Sequence, residues 1–421
     1  MVIRAGYGLN YNQMQIANSS NIVNNPGVAV SPSFVMSTPS SPNPGIVYAL
    51  SSGVNDLNGY PANPNAITTF GPNGLPTTGS VNIQIFPGYF PTTFPSMRTQ
   101  HYSLDTQYDL GHQFIASLGY QGSQSTHLFF HENPLAVPAT LGYAFNPQIG
   151  GGDLWNMSGR SNYNAMLAEM KHPFSKNVLA DVQFTWSKCM DTSSGPYFEQ
   201  PYPYDLSLDY GRCDFNVGKA LKVYALWQPV FFHGHGWLEG IFGGWSLSGI
   251  FNIHSGFPWT PVVSVVGGSL YCGQCGYTSL FPAAYLGGAG GSTSTDAFET
   301  VANSNFPNGG PTYFSTPAYT AFGGTDSGSA LPQSPGVHRN SFNMPIYKDL
   351  DVTLVKAFGL PKARIIGEGA RLELRVDAYN VLNNLNLNPN QISNNINSTN
   401  FGTITGALAA RVVTLGARFS F

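Results

Sequence analysis

Charge is scarce in this sequence. Its 421 residues include 18 lysines and arginines and 21 aspartates and glutamates, or 9% of the chain, where soluble domains carry roughly a quarter. That excludes a salt-rich soluble surface and a highly charged disordered chain. The cations form no run or stripe, so a nucleic-acid partner is excluded as well. Long apolar runs are missing too. No stretch of about 18 apolar residues occurs, which rules out a transmembrane helix but not a transmembrane β-barrel, whose strands need only about ten alternating residues. Nor is there a GxSxG elbow, a P-loop, an HExxH or an EF-hand pattern. No cofactor and no enzymatic activity are expected. The remaining enzymatic reading is a triad assembled from separate strands around a histidine such as His254. The start, MVIRAGYGLN, lacks the apolar core and small-residue cleavage site of a signal peptide, so Met1 reads as the edge of a fragment or an internal start.

What the chain does have is glycine (48), proline (31) and alternation. In HYSLDTQYDL, Tyr102, Leu104, Tyr108 and Leu110 fall on one face, and Ser103, Asp105, Gln107 and Asp109 on the other. VLADVQFTWS sets Val178, Ala180, Val182, Phe184 and Trp186 against Asp181, Gln183, Thr185 and Ser187. RLELRVDAYN opposes Leu372, Leu374, Val376 and Ala378 to Arg371, Glu373, Arg375 and Asp377. The terminal ARVVTLGARFSF does the same with Val413, Leu415, Ala417, Phe419 and Phe421 against Thr414, Gly416, Arg418 and Ser420. A period of two with one greasy and one wet face marks a strand.

About ten strands are predicted, near residues 2–11, 98–110, 112–122, 161–172, 178–190, 213–229, 241–263, 347–359, 369–383 and 409–421. Short connections (DLGH, HPFSKN, PVFFHGHGWLEG, GLPKARIIGEG) alternate with long ones over 12–97, 123–160, 191–212, 264–346 and 384–408. Long loops without structure of their own are uncommon in compact soluble domains. They are normal on one side of an outer-membrane barrel, with short periplasmic turns and long extracellular loops. The fold class expected is therefore all-β, an antiparallel transmembrane β-barrel segment forming one domain over 1–421.

Aromatic residues add two expected girdles at headgroup level. Trp227, Phe231, Phe232, Trp237, Trp245, Phe358, Phe419 and Phe421 fall near the short-turn ends, and Tyr102, Trp186, Phe257 and Trp259 near the long-loop ends. The ionisable residues Asp105, Asp109, Asp181, Arg371, Glu373, Arg375, Asp377 and Arg418 would point into the lumen, satisfied by water and by one another or facing a solute or plug. Of the four cysteines, Cys189 tops one strand and Cys213 the next. A bridge there would close a loop of about 25 residues and contribute roughly 3 to 4 kcal/mol in an oxidising compartment. Cys272 and Cys275, in CGQC, have redox or metal-ligand spacing without a second pair, and a local disulfide is expected. His233 and His235 lack a third ligand nearby, so no metal site is expected.

Together, SKCMD, DFNVGKALKVYALWQPVF, FGGWSLSGIFNIHSGFPWTP, LDVTLVKAFGLP, RLELRVDAYNVLNNLNLNPN and LGARFSF resemble the C-terminal barrel part of TonB-dependent receptors of the Oar-like type. That resemblance implies a portion of a 22-stranded plugged barrel in the bacterial outer membrane, taking part in TonB-coupled uptake of a large nutrient. The plug and the first strands are not in this sequence, so coupling to the TonB system requires a plug supplied by the full-length protein. Its other partners would be outer-membrane lipid and the barrel assembly machinery. The machinery would read Phe419 and Phe421 as the C-terminal assembly signal. The alternative reading is a free-standing outer-membrane barrel or surface adhesin whose long loops bind partners.

Overall fold

A computed structural model describes residues 1–12, 95–132, 153–194, 205–231, 241–265, 338–359, 370–395 and 404–420, with a few short pieces between them. Ten strands follow one another along a single sheet. They are β1 (Val2–Asn12), β2 (Met97–Gly111), β3 (Phe114–Glu132), β4 (Asp153–Ser175) and β5 (Val178–Asp191). The path continues through β6 (Lys219–Trp227), β7 (Trp245–His254), β8 (Tyr347–Gly359), β9 (Arg371–Tyr379) and β10 (Val412–Ser420). Each pairs antiparallel with its sequence neighbour, and the spatial order is the sequence order. Among the described residues, β1 and β10 each have one unpaired edge, so these ten strands do not close on themselves.

The turns follow from local chemistry. Lys176 and Asn177 both have left-handed φ (47° and 66°), giving a two-residue hairpin whose twist matches its strands. His112 and Gln113 turn in the same way after Gly111 (φ 51°, 70° and 78°). Asp109 belongs to this turn, where its Oδ1 accepts from the Gly111 amide at 2.9 Å.

Cross-strand partners share a face, so the register carries each face across the sheet. One continuous row runs Ala116, Met170, Val182, Val223, Phe251, Leu350. Another runs Leu247, Leu354, Val376, Leu415. This face exposes its large apolar side chains, among them Leu104 (50%), Trp186 (59%) and Leu415 (80%). Val178, the register partner of Trp227, lies eight residues along β5 from Trp186. That is about 26 Å of strand, the scale of the ~25 Å apolar band of a transmembrane barrel. The opposite face is mostly polar, with Tyr224 and Ile250, themselves register partners, as an apolar interruption. Lys356 falls on the apolar face near the short-turn end. There its ammonium reaches the Gly243 carbonyl and lies 5.2 Å and 4.9 Å from the Trp245 and Phe358 rings, so its charge is snorkelled and capped.

Three expectations need correction. Strands β3 and β4 continue through 123–132 and 153–160, where a run polar on both faces (Ser123 to His127) and then a run apolar on both (Leu128 to Phe130) hide the alternation, so this long connection is shorter than its sequence reads. Segments 213–218 and 255–261 leave the main sheet, because a disulfide foot occupies the first and Gly256, Pro258 and Pro261 break the second. Trp259 does not join a girdle. It is 4% exposed and packs on Phe342, with ring centroids 5.8 Å apart. Apart from Ala165 and Ala370, the buried apolar residues, including Met157, Cys213, Trp259, Met344 and Ile404, gather at the long-connection end. The sheet is a wall with its packed core above one rim.

Candidate functional site

At that rim β7 ends in His254 and β8 begins at Tyr347, its register partner on the polar face. The two rings stack, with centroids 4.8 Å apart and planes 18° from parallel, and Phe257 meets His254 edge-on at 5.6 Å. His254 Nδ1 lies 2.8 Å from the Ser255 carbonyl oxygen. The carbonyl can only accept, so Nδ1 carries the hydrogen and Nε2 of the neutral ring remains an acceptor. Tyr347 donates to Asp349 Oδ2 at 3.2 Å. One row below, the partners Asn252 and Asp349 each bury an Oδ1 that accepts no hydrogen bond among the described residues.

The wall facing these rings comes from the asparagine-rich segment after β9. Asn386 acts as a surrogate strand. Its Oδ1 accepts from the Lys348 amide at 3.0 Å and its Nδ2 donates to the Lys348 carbonyl at 2.8 Å. Asn388 caps the short helix Pro389–Gln391 by accepting from the Asn390 amide at 3.0 Å. Gly256 is required here, because a Cβ would sit 1.8 Å from the Met344 carbonyl oxygen. Together these elements enclose a cavity of about 240 Å³ whose lining includes His254, Phe257, Tyr347, Asn386 and Ile404. That is just under the ~300–1,000 Å³ of drug-sized ligand sites. It can take one ring-sized group, with aromatic faces for stacking and asparagine amides for hydroxyls or amines.

A clamp beside the cavity fixes the loop feet. Cys189 and Cys213 are joined by a disulfide, with Cα atoms 5.4 Å apart. Arg339 donates to the Asp191 carboxylate, to the Asp191 and Asp209 carbonyls at 2.8 and 3.0 Å and to Asp214 at 3.1 Å. Arg212 donates to the carbonyls of Asn340 and Phe342 at 2.6 and 3.1 Å, and burial pushes its guanidinium below the ordinary arginine value. Asn340 donates to Asp214 Oδ1 and to the Arg212 carbonyl at 2.6 and 2.7 Å.

The eight ionisable residues read from the sequence all fall on the polar face, yet they do not converge. Arg371 pairs with Glu373 at 3.0 Å and Arg375 with Asp377 at 2.7 Å. Arg418 is the register partner of Glu373, and Thr353 donates to Asp377 at 2.6 Å. This ladder lies on β9 and β10. Asp181 is several strands away, accepting from Gln183 at 3.2 Å. Asp105 faces Arg4 across β1 and β2 and leans over Gly119, where a Cβ would meet it at 2.2 Å. Phe419 is half exposed on the apolar face. Phe421, Cys272, Cys275, His233, His235, Phe232 and Trp237 lie outside the described residues. No group of three or more metal-ligating side chains occurs among the described residues. Sequence reasoning missed Arg212, Arg339, Tyr347 and Asn386. The run NLNLNPNQ was the available sign that side-chain amides do backbone work here.

Residues 1–414 match the family model described as the outer membrane beta barrel domain. No curated protein matches the sequence. Among solved structures, the chain is similar to the outer membrane transporter YddB from Escherichia coli, at 8% identity and a TM-score of 0.41, over 80% of this chain and 34% of that one. It is similar to the pyoverdine outer membrane receptor FpvA from Pseudomonas aeruginosa PAO1, at 11% identity and a TM-score of 0.36, over 78% and 30%. It is also similar to the FrpB iron transporter from Neisseria meningitidis, at 10% identity and a TM-score of 0.36, over 79% and 32%. The chain thus spans about a third of the length of these proteins.

Proposed function

The chain belongs to the outer membrane beta barrel domain family, and on that premise we propose that it forms part of the wall of a receptor that imports a large nutrient. The observation that carries this reading is the loop-end cavity on the polar face, where His254 stacks on Tyr347 beneath the asparagine wall. The apolar face meets lipid. The polar face, with Asp105, Asp181, Arg371, Glu373, Arg375, Asp377 and Arg418, lines the lumen. Open backbone edges in hydrocarbon cost several kcal/mol per unpaired group, so further strands pair on β1 and β10 to complete the wall. The order of motifs that resembles TonB-dependent receptors supports energy-coupled uptake once a plug is present. It also supports reading Phe419 and Phe421 as the assembly signal. No catalytic role is proposed, for His254 or for any other residue.

The test is uptake by cells with the gene deleted and restored, across a panel of large solutes, with and without collapse of the inner-membrane proton gradient. Energy-dependent loss of one solute class on deletion is the expected result, and Tyr347→Ala in the restored gene should reproduce it. Uptake that is identical across the panel would overturn the proposal.

A further inference from the structure

The outward face changes character along its strands. On β2 it reads Leu110, Tyr108, Thr106, Leu104, Tyr102, Gln100, Arg98 from the turn upward. On β4 it reads Met170, Ala168, Met166, Asn164, Asn162, Arg160, and β5 ends Phe184, Trp186, Lys188, Met190. Register joins these strands into rows. One row is Tyr7, Tyr102, Gly122, Asn164, Lys188. The next is Leu9, Gln100, Gln124, Asn162, Met190, and the outermost is Tyr11, Arg98, Thr126, Arg160. On β2 the order is hydrocarbon, aromatic ring, amide, cation, which is the polarity profile of a leaflet crossed from tails to headgroups. No position in these three rows is acidic, whereas the opposite face carries both signs.

The rows are tied together. Tyr102 and Tyr120 both donate to Asn164 Oδ1, at 3.2 and 2.6 Å, and Tyr7 donates to Gln100 at 3.1 Å. Gly122 makes room, since a Cβ there would lie 2.2 Å from the Tyr102 ring. Tyr210 adds a loop residue, its ring 4.6 Å from the Arg160 guanidinium and its hydroxyl accepting from Asn162.

At the short-turn end of this face Lys356 is buried and capped by a carbonyl and two rings. At the long-loop end Arg98, Arg160 and Lys188 are exposed and form no ion pair among the described residues. Arg98 and Arg160 flank Thr126 on neighbouring strands, so their backbones are about 10 Å apart. Lys188 lies one strand further and about four residues, ~13 Å, along. Cations so placed beside lipid gain from phosphate, which arginine grips through paired donors.

We propose that this face binds the phosphorylated sugar headgroup of an outer-leaflet glycolipid. Arg98, Arg160 and Lys188 hold its phosphates, and Gln100, Gln124 and Asn162 meet its hydroxyls. The span of the three cations fits a headgroup with more than one phosphate, and the amide layer between Lys188 and the two arginines fits a sugar rather than glycerol. The proposal rests on outer-membrane placement and is independent of transport.

The test is native mass spectrometry of the full chain extracted in detergent from outer membranes. It is titrated with an acylated bis-phosphoryl disaccharide, with the dephosphorylated form of that lipid and with phosphatidylglycerol. The wild type should retain the bis-phosphoryl disaccharide at least tenfold better than either of the others. The variant R98Q/R160Q/K188Q should lose that preference, while K222Q/R375Q on the opposite face keeps it. Raising salt on the wild type gives a readout that needs no variant, and the preference should fall. Equal retention of the phosphorylated and dephosphorylated lipids overturns the proposal, as does an unchanged triple variant or a preference for phosphatidylglycerol. Recovery of the chain without detergent would instead sink the outer-membrane placement itself.

Discussion

Arg339 donates to Asp191 across 148 residues of sequence, tying the return foot of the longest connection to the top of β5. The carboxylate's side chain is 4% exposed and the guanidinium's 16%. Asp191 sits two residues beyond Cys189, so the ion pair and the disulfide secure the same loop foot from two directions. The aromatic and asparagine walls of the cavity start from the neighbouring strand ends. Whatever reaches the cavity therefore meets a rim whose geometry is fixed by buried charge rather than by the sheet below it.

Removing one partner of a buried ion pair leaves the other uncompensated, at a cost of about 3–5 kcal/mol. Arg339→Leu is expected to destabilise the rim by roughly that amount, with Asp191 left as the stranded charge. Arg339→Leu with Asp191→Asn should recover part of it. Thermal unfolding in detergent, together with proteolysis of the 264–337 connection, measures both. Equal stability of the single variant and the wild type would mean that the pair does not hold the foot.

The Cys189–Cys213 bridge closes a 24-residue separation, for which chain entropy gives about 3 to 4 kcal/mol. Cys189→Ser with Cys213→Ser is expected to lower the midpoint of thermal unfolding, and dithiothreitol should lower it in the wild type alone. A reductant effect of the same size in the double variant would assign the change to another cysteine pair.

Gly122→Ala puts a methyl group into the Tyr102 ring and displaces the hydroxyl that donates to Asn164. Overpacking of this kind costs about 1–3 kcal/mol. Adding Tyr102→Ala removes the clash, so the double variant should be more stable than Gly122→Ala. A double variant that is additively worse would show that the ring does not contact this glycine.

Much of the wall was legible because a period of two survives in single strands, and one slip of register would flip every side chain of Val178–Asp191. All ten strands and the alternation of short and long connections follow from that signal. It failed where both faces are polar, as in 123–127, and where a glycine or proline ends a strand that hydrophobicity alone would continue, as at Gly256 and Pro258. The eight ionisable residues were assigned to one face for the same reason. What they touch there depends on strand neighbours rather than spacing, and Asp109 serves its own turn. The rim was illegible. Arg212 meets Asn340, and Arg339 meets Asp191, only after the sheet has brought together segments more than a hundred residues apart. No local pattern marks a cation whose partners are backbone carbonyls.

Lipid on one face of the sheet and water on the other is the premise from which every functional statement follows. Val182 and Gln183 are adjacent in the middle of β5 and point to opposite faces. Val182→Cys and Gln183→Cys, each compared with the wild-type background in native membranes, should differ sharply toward a water-soluble maleimide. The thiol introduced by Gln183→Cys is expected to react readily. The thiol introduced by Val182→Cys is expected to stay shielded from that reagent and, once labelled with an apolar fluorophore, to be quenched by a lipid-borne nitroxide. Equal reaction of both variants with the water-soluble reagent would contradict the two-sided wall, as would the reverse order.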